Sequence, residues 1–182
     1  MDSLLTIYSI GHSNLQIGKF LDLLKKFKIE TLLDVRSSPY SQYNPQFNRE
    51  TLQSALEGNA IQYKYTGDFL GGRPKDSTCY KDQKIPEGSA DYLHLVDYPA
   101  VMTKDFFQKG INRLIEVARQ EKVAIMCSEE DPSQCHRHHL IGKFLVSQDI
   151  NVLHIRYDGN VVKDQLLPNL PEEPPAEQLS LF

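Results

Sequence analysis

The stretch LLTIYSIGHSNLQIGKFLDLLKKFKIETLLDVR, residues 4–36, decides the fold. It opens on a β-branched and aromatic run, Leu4 to Ile10, closed by Gly11, which reads as a buried strand. Ser13 followed by Gln16 fits a capping box, and Ile17, Phe20, Leu21, Leu24 and Phe27 fall on one helical stripe. Thr31 to Arg36 is a second strand. A strand, a crossover helix and a strand in 33 residues is the unit from which parallel sheets are built.

The rest of the chain extends that pattern. SSPYSQYNPQF, after Arg36, is a loop by its prolines and small polar residues. Asn48 is placed to cap a short helix, RETLQSALE, stopped by Gly58. IQYKY (61–65) alternates as a strand does, and LGGRPKDSTCYKDQKIPEGSA is a long irregular excursion of the kind that carries function. DYLHLVDYP fits a short extended piece. KDFFQKGINRLIEVARQEK is an amphipathic helix, and VAIMC (123–127) has the uninterrupted apolar character of a central parallel strand. CHRHHLIGKFLVSQ reads as a helix and NVLHIRY as a strand, turned at Asp158-Gly159 into NVV. The expectation is a three-layer α/β domain over residues 1–165, Rossmann-like or flavodoxin-like, with a Pro/Glu-rich unstructured tail over 166–182.

Composition narrows the class. The 182 residues are 40% hydrophobic and 24% charged, as expected of one folded domain plus a tail. A net charge of −4 argues against a broad basic footprint for nucleic acid, though not against a local one. No apolar run approaches the roughly 18 residues that span a membrane. Three cysteines and a start without a charged leader imply reduced thiols and a cytoplasmic location.

Three loops leave the C-terminal ends of strands, GHSN, RSSPYS and SEEDPSQCHR, at the sheet edge where open α/β folds bind ligands. The last is the densest in chemistry. Cys127 and Cys135, near a helix start with His136 and Arg137, could hold a reactive thiolate, a redox pair or a metal. Equally, Cys127 could be a small core residue and HRHH a solvated first turn. The Cys–Cys–His spacing matches no usual zinc pattern, so no metal ligand is assigned. Asp34 and Arg36, two apart at a strand end, point to one side as a catalytic carboxylate with an anion-binding guanidinium, or as a structural ion pair. His12 is available as a base, whereas Ser13 is explained as a cap. Gly71-Gly72-Arg73 is a weak signal that a plain turn also explains. Converging on one edge, His12, Asp34, Cys127 and Glu129 are the candidate catalytic residues. Ser13, Arg36, Cys135, His136 and Arg137 are the candidate substrate contacts, suited to a phosphate or nucleotide.

The successive segments SIGHSN, LLDVRSSPYS, NPQF, YTGDFLGGRP and MCSEEDPSQCHR resemble the motifs of the domain of unknown function 488 family, from about Thr6 to Tyr157. The resemblance implies a small bacterial or archaeal α/β domain with its site at those motifs, and names no reaction or cofactor. In the tail, Gln178, Leu179, Ser180, Leu181 and Phe182 resemble the short peptide by which bacterial replication and repair proteins bind the β sliding clamp. That resemblance implies a polar anchor and three apolar plugs on a flexible tether. The alternative for these residues is docking on the protein's own surface. Together the two imply an enzyme of bacterial DNA metabolism, a hydrolase or glycosylase in class, acting on a nucleotide or nucleic acid. A thiol redox-sensing module and a metal-dependent hydrolase are the alternatives.

Overall fold

The computed structural model describes residues 4–170. Six strands form one sheet: β1 (Thr6–Gly11), β2 (Thr31–Asp34), β3 (Gln62–Tyr65), β4 (Val123–Cys127), β5 (Asn151–Ile155) and β6 (Val161–Lys163). Their order is β3-β2-β4-β1-β5-β6, parallel throughout except for the antiparallel edge strand β6. This is the expected three-layer α/β architecture, with β4 inserted between β1 and β2. The usual doubly wound orders leave that position empty.

Period-two alternation divides each strand between two cores. Ile10, Leu32, Ala124 and Met126 pack beneath α1 (Ile17–Lys26) and α2 (Arg49–Glu57), which contribute Phe20, Leu23, Leu24, Leu52 and Leu56. Ile7, Leu33, Val123 and Ile125 face the opposite layer. Four short or long helices build that layer: α3 (Gly67–Leu70), α4 (Tyr92–Leu95), α5 (Tyr98–Met102) and α6 (Asp105–Ala118). A buried π-helical turn (Arg137–Gly142) running into α7 (Lys143–Ser147) completes it. Each fully buried Leu or Phe contributes about 1.5–3 kcal/mol. The seam along α6, with Phe107, Ile111 and Leu114, and the seam along α1 therefore fix the two layers independently.

The register sets the functional edge. Gly11 pairs with Cys127, and Asp34 lies between Met126 and Tyr65, so β1 to β4 end at one level. Among the described residues no helix is long and apolar enough to cross a membrane.

The structure corrects several local expectations. Helix α1 begins after Gln16 with no side-chain cap, and Ser13 instead adopts φ +36 with its N–H donated to the Ser128 carbonyl. The loop from β4 therefore holds the turn that a capping box would have closed. Asn48 does precede α2, but its Oδ1 accepts from the Ser41 amide rather than from the helix. DYLHLVDYP forms α4 and α5, not an extended piece. The one β-bridge there joins Tyr80 to Val96. The helix expected after Cys135 starts as a π turn, a form that concentrates at functional sites.

Candidate active site

The end of β2 presents a rigid ion pair. Asp34 Oδ1 accepts from Arg36 Nε (2.9 Å) and from the Arg36 amide (3.1 Å), while Oδ2 accepts from Arg36 Nη2 (2.6 Å) and the Tyr63 hydroxyl (2.7 Å). Four donors fill the roughly four lone-pair sites of a carboxylate. Both side chains are buried, at 0% and 3% exposure, so Asp34 has nothing left with which to take a substrate proton. Three of its four hydrogen bonds hold Arg36. Burial, with the Asp34 charge and hydrogen bond beside it, raises the Tyr63 pKa and keeps that phenol protonated.

Arg36 Nη1 donates to His12 Nε2 at 3.1 Å, and His12 Nδ1 donates to the Ser13 carbonyl at 2.9 Å. A guanidinium only donates and a carbonyl only accepts, which fixes the neutral Nδ1–H tautomer. Burial lowers the His12 pKa to about 4, the Ser13 carbonyl opposing and the Arg36 charge reinforcing it. The ring stacks on Phe47 at 4.4 Å between centroids. His12 is thus held neutral behind Arg36.

The other side of the edge carries sulfur. Cys127 ends β4, and Cys135 and His136 follow the 3-10 turn Pro132–Gln134. His136 Nε2 donates to the Val35 carbonyl at 3.2 Å, so Nδ1 faces inward. It lies 3.8 Å from Cys127 Sγ and 3.7 Å from Cys135 Sγ. The two thiols diverge in acidity. Cys127 is pushed well above its ordinary value by donating its proton toward Cys135 and by burial. Cys135 is drawn well below; burial opposes this, but the Cys127 hydrogen bond, the Arg137 charge and the neighbouring His136 outweigh it. All three cysteines, Cys79 included, are free.

This centre forms the floor of a cleft of about 570 Å3, with Arg36, Ser37, Arg73, Tyr98 and Glu129 among its walls. Arg73 is exposed at the mouth, its guanidinium 4.5 Å from the Tyr92 ring centroid. Desolvation and the neighbouring Cys135 raise the Glu129 pKa, making that carboxyl a candidate proton carrier at the rim. Tyr98, 7% exposed, is raised further by burial.

Arg137 turns away from the cleft. Its Nη1 donates to Ser9 Oγ (2.6 Å) and its Nη2 to the Glu129 carbonyl (2.5 Å), at 0% exposure, with Nε left unpaired. Behind it, Ser9 Oγ meets His154 Nδ1 at 3.0 Å. His154 Nε2 and His138 Nδ1 both donate to Asp164 Oδ1 at 2.8 Å. His138 Nε2 faces the Pro168 carbonyl at 3.1 Å. The HRHH run is therefore buried, not a solvated turn.

The expected site residues separate accordingly. Cys127, Cys135, His136, Glu129 and Arg36 meet at the cleft; His12 and Asp34 stand behind Arg36; Ser13 and Arg137 brace the β4 loop. Gln178 to Phe182 lie outside the described residues. Sequence reading missed Tyr98, which lines the cleft, and Tyr63, Ser9, His154 and Asp164, which support it from behind with no local motif. Arg73 was legible only as the end of Gly71-Gly72-Arg73.

No characterised protein and no solved structure matched the chain in the two comparisons made. A family model, described as domain of unknown function DUF488, matches residues 16–144. The match takes in Asp34, Arg36, Arg73 and the whole Cys127–Arg137 loop and starts just after His12 and Ser13. It covers well over half the sequence, and the chain belongs to the DUF488 family.

Proposed function

We propose that the cleft is the active site of an enzyme of bacterial DNA metabolism that acts on a nucleotide or nucleic-acid end. Cys127, Cys135 and His136 are its reactive centre and Arg73 is its outermost anion contact. The observation that carries this reading is the inward-facing Nδ1 of His136 within 4 Å of two sulfurs at the floor of an open cleft. A structural core cysteine needs neither an oriented imidazole nor access to solvent. Arg36 and Arg73 supply positive charge on two walls, and Tyr40, half exposed at the rim beside Ser38, offers a face for a base to stack on. Asp34, Tyr63 and His12 position Arg36 and do not touch the substrate.

The peptide Gln178–Phe182 would bring the domain to DNA by binding the sliding clamp, through effective concentration and not through charge. The test is titration calorimetry with nucleoside monophosphates and short 5′-phosphorylated strands. Arg73→Ala should weaken binding about 10–100-fold, the range of one lost charge-assisted hydrogen bond. Binding of equal strength by the variant would remove the anion role. In a second titration, clamp binding that survives removal of residues 178–182 would remove the recruitment role.

The closeness of the two sulfurs also favours a second reading, a redox-sensing module. In that case mild oxidation should form a Cys127–Cys135 disulfide reversibly, with no turnover of any nucleotide.

A further inference from the structure

Among the described residues, two groups of side chains bring three metal-ligating atoms within 4.8 Å of one another: Cys127, Cys135 and His136, and His138, His154 and Asp164. The second is closed. Both of its imidazoles donate into one Asp164 oxygen, their remaining nitrogens are occupied by Ser9 Oγ and the Pro168 carbonyl, and Gly142 packs so tightly that a Cβ would collide with Asp164 Oδ1. Protons hold that group together.

The first group is different in each respect. The Val35 carbonyl accepts from the Nε2–H of His136, leaving Nδ1 to face two sulfurs whose side-chain hydrogen bonds are to it and to each other. Three electron-rich atoms cannot meet without positive charge between them, either shared protons or one cation. The distances admit the cation as readily as shared protons. Zinc–sulfur bonds of about 2.3 Å and zinc–nitrogen bonds of about 2.05 Å at a tetrahedral angle put sulfur and nitrogen about 3.5–3.6 Å apart. The protein holds them at 3.7 and 3.8 Å.

An imidazole whose second nitrogen donates to a backbone carbonyl is also how proteins orient a metal-bound histidine. Both sulfurs and the ring line the cleft, so a fourth position would open into it. Ligand spacing along the chain concealed this, because one sulfur ends a strand and the other follows a 3-10 turn.

We propose that Cys127, Cys135 and His136 are a three-ligand site for a soft divalent cation, zinc by its donor set, with the open fourth coordination position facing the substrate cleft. Two thiolates balance the charge of the ion, and the thiol protons they give up pass to solvent. An ion so placed would polarise a substrate oxygen or acidify a bound water. This deepens the reading of the cleft as an active site and rests on it for the ion's role.

The test uses the full-length protein without a tag, reduced and purified without chelator, analysed for metal and then titrated with Co2+. The expected result is about one ion per chain, with sulfur-to-cobalt charge transfer and the strong d–d bands of a tetrahedral centre. Replacing a ligand (Cys135→Ser or His136→Ala) should cost more than the 10–100-fold typical of an outer-shell change. Cys79→Ala should bind as the parent does, which controls for folding. Absence of stoichiometric uptake by reduced protein, or unchanged cobalt affinity in Cys135→Ser, overturns the proposal. Nucleotide titration of the same samples keeps the two ideas apart: a chain that takes no metal yet binds anions through Arg73 overturns this inference alone.

Discussion

The two clusters at the π turn each gather three buried side chains able to ligate a metal, and they are opposite in design. His138, His154 and Asp164 are buried and their hydrogen-bonding atoms are matched within the protein. Cys127, Cys135 and His136 are nearly as buried, yet they face a cleft and leave a nitrogen lone pair pointed at two sulfurs. The difference teaches that burial of polar groups is not itself a mark of function. What separates a brace from a reactive centre is whether the donors and acceptors balance.

The sharpest way to break the contrast is to unbalance the closed cluster. Asp164→Ala leaves two buried imidazoles without their shared acceptor and should destabilise the fold by about 3–5 kcal/mol in chemical denaturation. A loss below about 1 kcal/mol would show that the cluster is not a brace.

A second effect comes from pH. Burial is the first cause that lowers the pKa values of His12, His139 and His154, the first two to about 4. A histidine held neutral in the native state takes up a proton more readily when unfolded, so stability should fall as pH drops from about 6.5 toward 4. For His12 the loss is on the order of 2–3 kcal/mol. His12→Asn should flatten the profile of unfolding free energy against pH; an unchanged slope would mean that His12 is not held neutral.

Smaller is the expected effect of Gly72→Ala, whose added Cβ would sit 2.8 Å from the His136 ring. Moving that ring should slow the chemistry of the thiol centre about tenfold while leaving the fold intact. Last, Cys135→Ala should cost only about 1 kcal/mol of stability, because it removes a single buried sulfur. A cost near that of Asp164→Ala would make Cys135 a brace of the fold.

How much was legible follows from the range of each interaction. VAIMC and the strand–helix–strand opening carry their signal in apolar periodicity, so the sheet and its functional edge could be read. Asp34 and Arg36 lie two apart on one strand, so their pairing was readable as well. Tyr63 reaches Asp34 across the sheet, and His154 reaches Asp164 around a hairpin; period two says which face a residue takes, not whom it meets. The solvated alternative for HRHH rested on the usual exposure of charged and polar residues at a helix start. Here Val35, Ser9, Ser133, Asp164 and Pro168 supply partners that allow all four to be buried.

The central claim is that the Cys127–Cys135–His136 group, unlike the histidine cluster behind it, lines an open cleft and is held together by thiol hydrogen bonds that a reagent or a cation can replace. Alkylation of the folded, reduced protein by a small iodoacetamide at neutral pH, with the modified residue located by mass spectrometry, tests it most directly. The predicted result is rapid labelling at Cys135, slowed by an equivalent of zinc, with Cys79 untouched. Equal slow labelling of all three cysteines, indifferent to zinc, would contradict it.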